Sequence, residues 1–419
     1  MNPTSRAGRV VHLLAFAAPG LAGRGVQFLV LAWLATEVVP SEYGRFAALQ
    51  LVVTGAASIV GSTVGVTANV AAAAGRRHDV PAVAVAVAVI RLRARLLLLN
   101  AAASTAVVVV GAVLLTHPSS VADLAPALIA GLLSGAVPFA EILVGVLAGR
   151  GRPGASAALD AARGIGGAAG AGLLGVLAGG LAAASGLLVV DVLIASVLLA
   201  RTVRPASPVV ALHVSANEGA VAGIAANVLG QVATWLVLGA VSVTGGPVAL
   251  GVYGVAMRFA SVITVAPVYL GKVVVGQFVD APDRRRAGWT PQSFTAVVAT
   301  LCAAGSVASL LVLVIAFPGL VDDYPGVVPV TVAVLGATSV RALLICVGQV
   351  CVARRAWRTW VLADLTALGV TAIAVPVVLV LQGSLVAVVL VSGLGHGAGL
   401  VARLVGLRRA RTRGPAVAR

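Results

Sequence analysis

Long runs of Ala, Val, Leu and Gly alternate with short polar gaps along the whole chain. The runs cover residues 10–36, 46–74, 95–116, 121–149, 155–179 and 181–201, then, after a polar stretch, 219–243, 248–276, 294–317, 326–353, 359–382 and 384–407. A helix needs about 20 apolar residues to cross a bilayer. The pattern therefore predicts an all-α polytopic membrane protein with twelve transmembrane helices. Val80 to Val89 alternates Val with Ala and would read as a strand in water. An open strand in lipid leaves backbone groups unpaired, so the segment is read as a helix leading into the third span. The Gly- and Ala-rich stretch from Gly164 to Gly180 lies inside an apolar run and predicts close helix contact rather than a linker.

The charge in the gaps also alternates. Arg6 and Arg9 precede the first span; Arg76, Arg77, Arg91, Arg93 and Arg95 fill the second gap, Arg150 and Arg152 the fourth, Arg201 and Arg204 the sixth. Arg284 to Arg286, then Arg354, Arg355 and Arg358, follow at the eighth and tenth, and the tail carries Arg403, Arg408, Arg409, Arg411, Arg413 and Arg419. By this count 23 of the 29 basic residues fall on one side and only Arg45 on the other. Basic residues stay on the cytoplasmic face, so both termini are expected there. The opposite gaps hold Glu37, Glu42, Asp123, Asp322 and Asp323. The run after Arg6 and Arg9 is long, contains Arg24 and lacks a small-residue cleavage site, which reads as a retained first span rather than a signal peptide.

The polar stretch Thr202 to Glu218, with Pro205 and Pro208, splits the chain into two six-helix bundles, residues 1–205 and 206–419. Shifting the sequence by 210 residues lays Tyr43-Gly44 on Tyr253-Gly254 and brings the span boundaries of the halves into register. Two halves that both begin inside would be related by an axis along the membrane normal, as in parallel-repeat transporters.

Composition supports the same class and removes others. The chain is 60% hydrophobic and only 10% charged, with a mean hydropathy of +1.08, too apolar for a soluble globular protein. A net charge of +16 would suggest nucleic acid in a soluble chain. Here the basic residues sit between spans, where they meet anionic lipid headgroups, and no nucleic-acid partner is expected. Arg outnumbers Lys by 28 to 1, which fits a GC-rich bacterial genome, and a polytopic chain of that origin is expected in the bacterial cytoplasmic membrane. Cys302, Cys346 and Cys351 lie in apolar runs and read as small buried hydrophobes. The histidines His12, His78, His117, His213 and His396 are dispersed, and HExxH, a nucleophile elbow and a Walker sequence are all missing. Neither an enzyme nor a bound metal or cofactor is expected.

Five basic residues remain inside spans: Arg24, Arg163, Arg258, Lys272 and Arg341. A central Arg costs about 2.5 to 3.5 kcal/mol on insertion scales unless it faces water or a partner. Counting 1.5 Å per residue, Arg24, Arg258 and Arg341 lie deep, which marks them as candidates for binding an anionic substrate. Lys272 and Arg163 lie nearer the inner face and are expected to reach headgroups. Glu141, Asp160 and Asp191 are buried acids, available either for coupling to a proton or sodium or for structural pairing; Asp160 and Arg163 share a helix face.

The segment Val39-Pro40-Ser41-Glu42-Tyr43-Gly44-Arg45-Phe46, after a first span carrying Arg24, resembles the opening of the polysaccharide exporters and O-antigen-type flippases. These belong to the multidrug/oligosaccharidyl-lipid/polysaccharide flippase superfamily. Gly251-Val252-Tyr253-Gly254-Val255-Ala256-Met257-Arg258-Phe259, followed by Pro267, is similar to that family's eighth span. The resemblance implies two six-helix lobes around a cationic cavity and alternating access that carries a lipid-linked oligosaccharide across the membrane. It implies that Arg24 and Arg258 meet the pyrophosphate; Arg341 is added from its depth. The implied partners are an anionic lipid-linked saccharide, membrane lipids, and glycosyltransferase or polymerase proteins. Competing expectations are a twelve-span drug or metabolite antiporter, of the major facilitator or multidrug-extruder type, and a non-transporting subunit of a polysaccharide assembly complex.

Overall fold

A computed structural model describes residues 6–74, 81–116, 124–203, 217–280 and 290–412. Arg76, Arg77, Arg204, Arg284 to Arg286, Arg413, Arg419, Asp123, His78, His117, His213, Pro205 and Pro208 lie outside the described residues, as do the side chains of Arg6, Arg9, His12 and Lys272. The described chain is helical throughout its long elements. In order these are α1 (Arg6–Glu37), α2 (Pro40–Ala74), α3 (Ala82–Thr116), α4 (Ala125–Ser134), α5 (Val137–Gly149), α6 (Pro153–Ala178), α7 (Gly180–Gly186) and α8 (Val189–Val203). The second half comprises α9 (Asn217–Asp280), α10 (Pro291–Ala316), α11 (Pro318–Asp323), α12 (Val327–Ala353), α13 (Trp357–Val380) and α14 (Leu385–Thr412). Ala82 to Val89 is part of α3, as lipid exposure of a lone strand would require.

Eleven stretches among the described residues are long and apolar enough to cross a membrane. One of them, Gly219–Val265, runs for 47 residues, roughly 70 Å of helix against a hydrocarbon core of about 30 Å. It is broken where the backbone leaves the helix at Gly245 and Gly246, so α9 holds two candidate spans and the described residues hold twelve. Gly246 has φ 61° and ψ −151°, a region open only to glycine. Gly246→Ala is expected to cost about 1 to 3 kcal/mol. Its added carbon would meet no atom within 4 Å, and the same holds for Gly239. Gly239→Ala, in the unbroken part of α9, therefore isolates the backbone effect: detergent unfolding midpoints should fall for Gly246→Ala and hold for Gly239→Ala.

The chain forms two compact units, Met1–Ala220 and Val221–Arg419. In the first, α1 packs on α6 and α2 on α5, through the small residues that lipid-embedded interfaces favour. A β-carbon at Gly164 would sit 2.9 Å from the Gly23 carbonyl oxygen, and one at Gly170 would sit 2.5 Å from that of Gly186. Those contacts bear out the packing expected of the 164–180 stretch. A shared apolar centre, including Val64, Ala68, Val85, Ile90, Ile142 and Leu198, joins α2, α3, α5 and α8. In the second unit α14 packs against α12 and α13, and α10 against α12. Cys302, Cys346 and Cys351 are free and buried, as small apolar residues would be.

The Pro40 to Phe46 segment closes the α1–α2 turn. Tyr43 and Phe46 are fully buried, their rings 5.7 Å apart, and the Tyr43 hydroxyl donates to the Leu31 carbonyl at 3.4 Å. The neighbouring acids Glu37 and Glu42 are exposed.

Candidate functional site

The acids of the first unit converge on one residue. Arg163 on α6 donates through Nη1 to Glu141 of α5 at 2.7 Å and to Asp160 at 3.2 Å, and through Nε to Asp191 of α8 at 2.5 Å. Asp160 is one turn earlier on α6, on the same face. Asp191 reaches the cluster because the sixth span is interrupted: α7 ends at Gly186 and α8 restarts at Val189, which puts Asp191 in the first turn of a helix, where a negative charge is favoured. The Arg163 side chain is 13% exposed and the Asp191 side chain 8%.

One expectation is corrected here. Arg163 does not reach toward headgroups; three carboxylates hold it inside the bundle, because an ion-paired guanidinium is cheaper there than an isolated one. Asp191 is paired with Arg163, the structural alternative expected for the buried acids. The pairing of Asp160 with Arg163 is present, within a larger cluster of three acids on one base.

The second unit holds an ion pair that charge counting hid. Arg403, assigned above to the cytoplasmic tail, lies on α14 with 3% exposure. Its Nη2 donates to Asp364 Oδ2 of α13 at 2.6 Å, and its Nη1 donates to the Leu344 carbonyl of α12. A buried arginine needs such partners, and the single residue ties three helices together.

The three proposed substrate contacts have different settings. Arg24 is exposed on α1 and donates to the neutral Gln27 Oε1 at 2.9 Å. Its backbone nitrogen lies close to Gly164, beside the Arg163 cluster, because α1 and α6 approach through Gly23 and Gly164. Arg258 is half-buried on α9, where its carbonyl accepts from Ser261 Oγ at 2.7 Å. Arg341, half-buried near the middle of α12, lines a cavity in the second unit with Tyr253, Thr338, Ser392 and His396. The four acids placed away from span ends, Glu141, Asp160, Asp191 and Asp364, are bound to Arg163 and Arg403. Among the described residues no group of three or more His, Cys, Asp or Glu could hold a metal.

The fold matches solved transporters along nearly the full length of the chain. The multidrug transporter DinF-BH superposes with a TM-score of 0.66 at 14% identity, covering 95% of both chains. The lipid II flippase MurJ, in an inward closed conformation, gives 0.65 at 13% identity over 94% of this chain and 87% of its own. A MOP superfamily transporter from Pyrococcus furiosus, described by the reverse polarity of its binding pocket and a suggested different function, gives 0.64 at 14% identity over 96% and 95%. No family profile matches the sequence, and no curated protein does. The chain thus shares the fold of these solved transporters.

Proposed function

We propose that this protein is a flippase or exporter that carries a lipid-linked pyrophosphate saccharide across the bacterial cytoplasmic membrane by alternating access, with both termini cytoplasmic. The observation that carries the reading is the distribution of charge inside the spans. Glu141, Asp160, Asp191 and Asp364 are each held by Arg163 or Arg403, while the exposed Arg24 side chain donates its hydrogen bond to the neutral Gln27. Exposed or cavity-lining arginine inside a membrane is costly unless it meets an anion. Arginine suits phosphate because its planar fork donates two parallel hydrogen bonds. Arg24 and Arg258 would contact the pyrophosphate. Glycosyltransferase or polymerase proteins would supply and receive the saccharide.

A second reading rests on the acids themselves. Three carboxylates on one guanidinium leave surplus negative charge in the first unit, suited to a coupling proton or sodium, and the fold is shared with a multidrug transporter. Under that reading the chain extrudes cationic drugs.

Arg24→Ala and Arg258→Ala decide between them. Each removes charge-assisted hydrogen bonds worth about 1.5 to 3 kcal/mol, so saccharide export in a deletion strain should fall by roughly ten- to a hundredfold, with membrane abundance unchanged. Normal export by both variants would sink the anionic-substrate reading. Unchanged export together with altered drug susceptibility in Asp191→Asn would favour the antiporter.

A further inference from the structure

The cavity beside Arg341 has a composition that the transport reading does not explain. Three helices of the second unit build it, each presenting one face: Thr234, Val237, Tyr253 and Met257 from α9, Val334, Ala337, Thr338 and Arg341 from α12, and Val389, Ser392 and His396 from α14. The spacings of three, four and seven residues on α12 and α14 are those of a single helical stripe. Its volume is about 20 Å³, enough for one water-sized occupant. So small a space favours a monatomic ion over a tetrahedral phosphate with five heavy atoms.

The walls offer donors. Tyr253 is 5% exposed and Thr338 8%; neither hydroxyl has a hydrogen bond among the described residues, and both line the cavity. Both residues line the cavity, so a ligand there can accept from both hydroxyls. Thr234 already donates to the Gly230 carbonyl at 3.0 Å, and Ser392 Oγ lies 3.2 Å from His396 Nε2 in the wall. No carboxylate lines the cavity. Arg341 makes no ion pair within 4.0 Å among the described residues, and the nearby acid Asp364 is engaged by Arg403 at 2.6 Å. A water molecule would satisfy the hydroxyls and leave two guanidinium groups, Arg341 and Arg403, to share the single charge of Asp364 in an apolar bundle. An anion of the same size satisfies the hydroxyls and adds a second negative charge.

We propose that this cavity binds a single monatomic anion of the halide class, held by the Arg341 guanidinium and the Tyr253 and Thr338 hydroxyls. The inference goes beyond the transport reading and stands whatever molecule is carried. The ion would neutralise Arg341 and fasten α9, α12 and α14 together, so halide should stabilise the folded chain.

The test uses the full chain purified in detergent. Its unfolding midpoint is measured in sodium chloride, sodium bromide, sodium gluconate and sodium phosphate at equal ionic strength. Chloride and bromide should raise the midpoint over gluconate, and phosphate should not. Arg341→Gln should abolish the halide increment. Thr338→Val keeps the charge and the packing volume, and should weaken the apparent halide affinity several-fold; it carries the test if Arg341→Gln does not fold. Crystals soaked in bromide should show anomalous density between Arg341 and Tyr253. Equal midpoints in chloride and gluconate, a halide increment that survives in both variants, or bromide bound only elsewhere would overturn the proposal.

Discussion

Replacing Arg163 with alanine is expected to destabilise the protein by about 3 to 5 kcal/mol, the range for removing one partner of a buried ion pair. The reason lies in the stoichiometry of the cluster. Glu141, Asp160 and Asp191 all use the same guanidinium, so its loss leaves three carboxylates facing one another in a low-dielectric bundle. Like charges at that distance repel, and each has lost the Arg163 guanidinium. Removing one acid is a milder change. Glu141→Gln or Asp191→Asn keeps the guanidinium and two of its partners, and should cost less than half as much. The measurement is the unfolding midpoint in detergent together with abundance in membranes. Arg163→Ala should be depleted from the membrane, and the two single amide variants should accumulate near the normal level. If Arg163→Ala were as stable as the unaltered chain, the cluster would be incidental to the fold. The same variants separate structure from coupling, because a stable Asp191→Asn that no longer transports would assign that acid a role in transport rather than in packing.

The span pattern was readable from the sequence because lipid imposes it: apolar runs of about 20 residues are the only way to satisfy the backbone in hydrocarbon. Even the twelfth crossing, merged into α9, is marked in sequence by Gly245-Gly246-Pro247 between two apolar runs. The side-chain pairing was harder, since it depends on depth and rotation rather than on composition. Depth alone carried a usable signal. Glu141 lies eight residues from the inner end of its run, Arg163 eight and Asp191 ten, or about 12 to 15 Å at the helical rise. Equal depth in three consecutive spans is the condition for meeting, and judging Arg163 by its own distance from the interface overlooked it. Arg403 was missed for a related reason: counting it with the tail ignored that it lies four residues inside the last run, level with Asp364, which lies five residues inside the preceding run. What no sequence argument supplies is helix rotation. Tyr43 and Tyr253 occupy matching places in the two halves, yet one hydroxyl donates to the Leu31 carbonyl and the other lines the Arg341 cavity.

The Asp364–Arg403 pair makes the second large prediction, and a double-mutant cycle is its proper test. Arg403→Met leaves Asp364 without its donor and frees the Leu344 carbonyl; Asp364→Leu leaves a guanidinium buried to 3% exposure among α12, α13 and α14. Each single change should cost about 3 to 5 kcal/mol, because an unpaired buried charge is what remains. The double variant Asp364→Leu/Arg403→Met removes both charges and keeps most of the volume. It should recover to within about 1 kcal/mol of the unaltered protein, since well-packed apolar replacements of buried ion pairs are often neutral or stabilising. Additive losses in the double variant would mean that the two side chains act separately. The packing around Arg403 gives an independent reading of the same geometry. A β-carbon at Gly348 would collide with the Arg403 guanidinium, so Gly348→Ala should be destabilising in the unaltered chain. In the Arg403→Met background, where a flexible thioether can move aside, that penalty should shrink. The combination of restored stability in the double variant and a Gly348 effect conditional on Arg403 would identify the pair as the device that fixes the approach of α14 to α12 and α13.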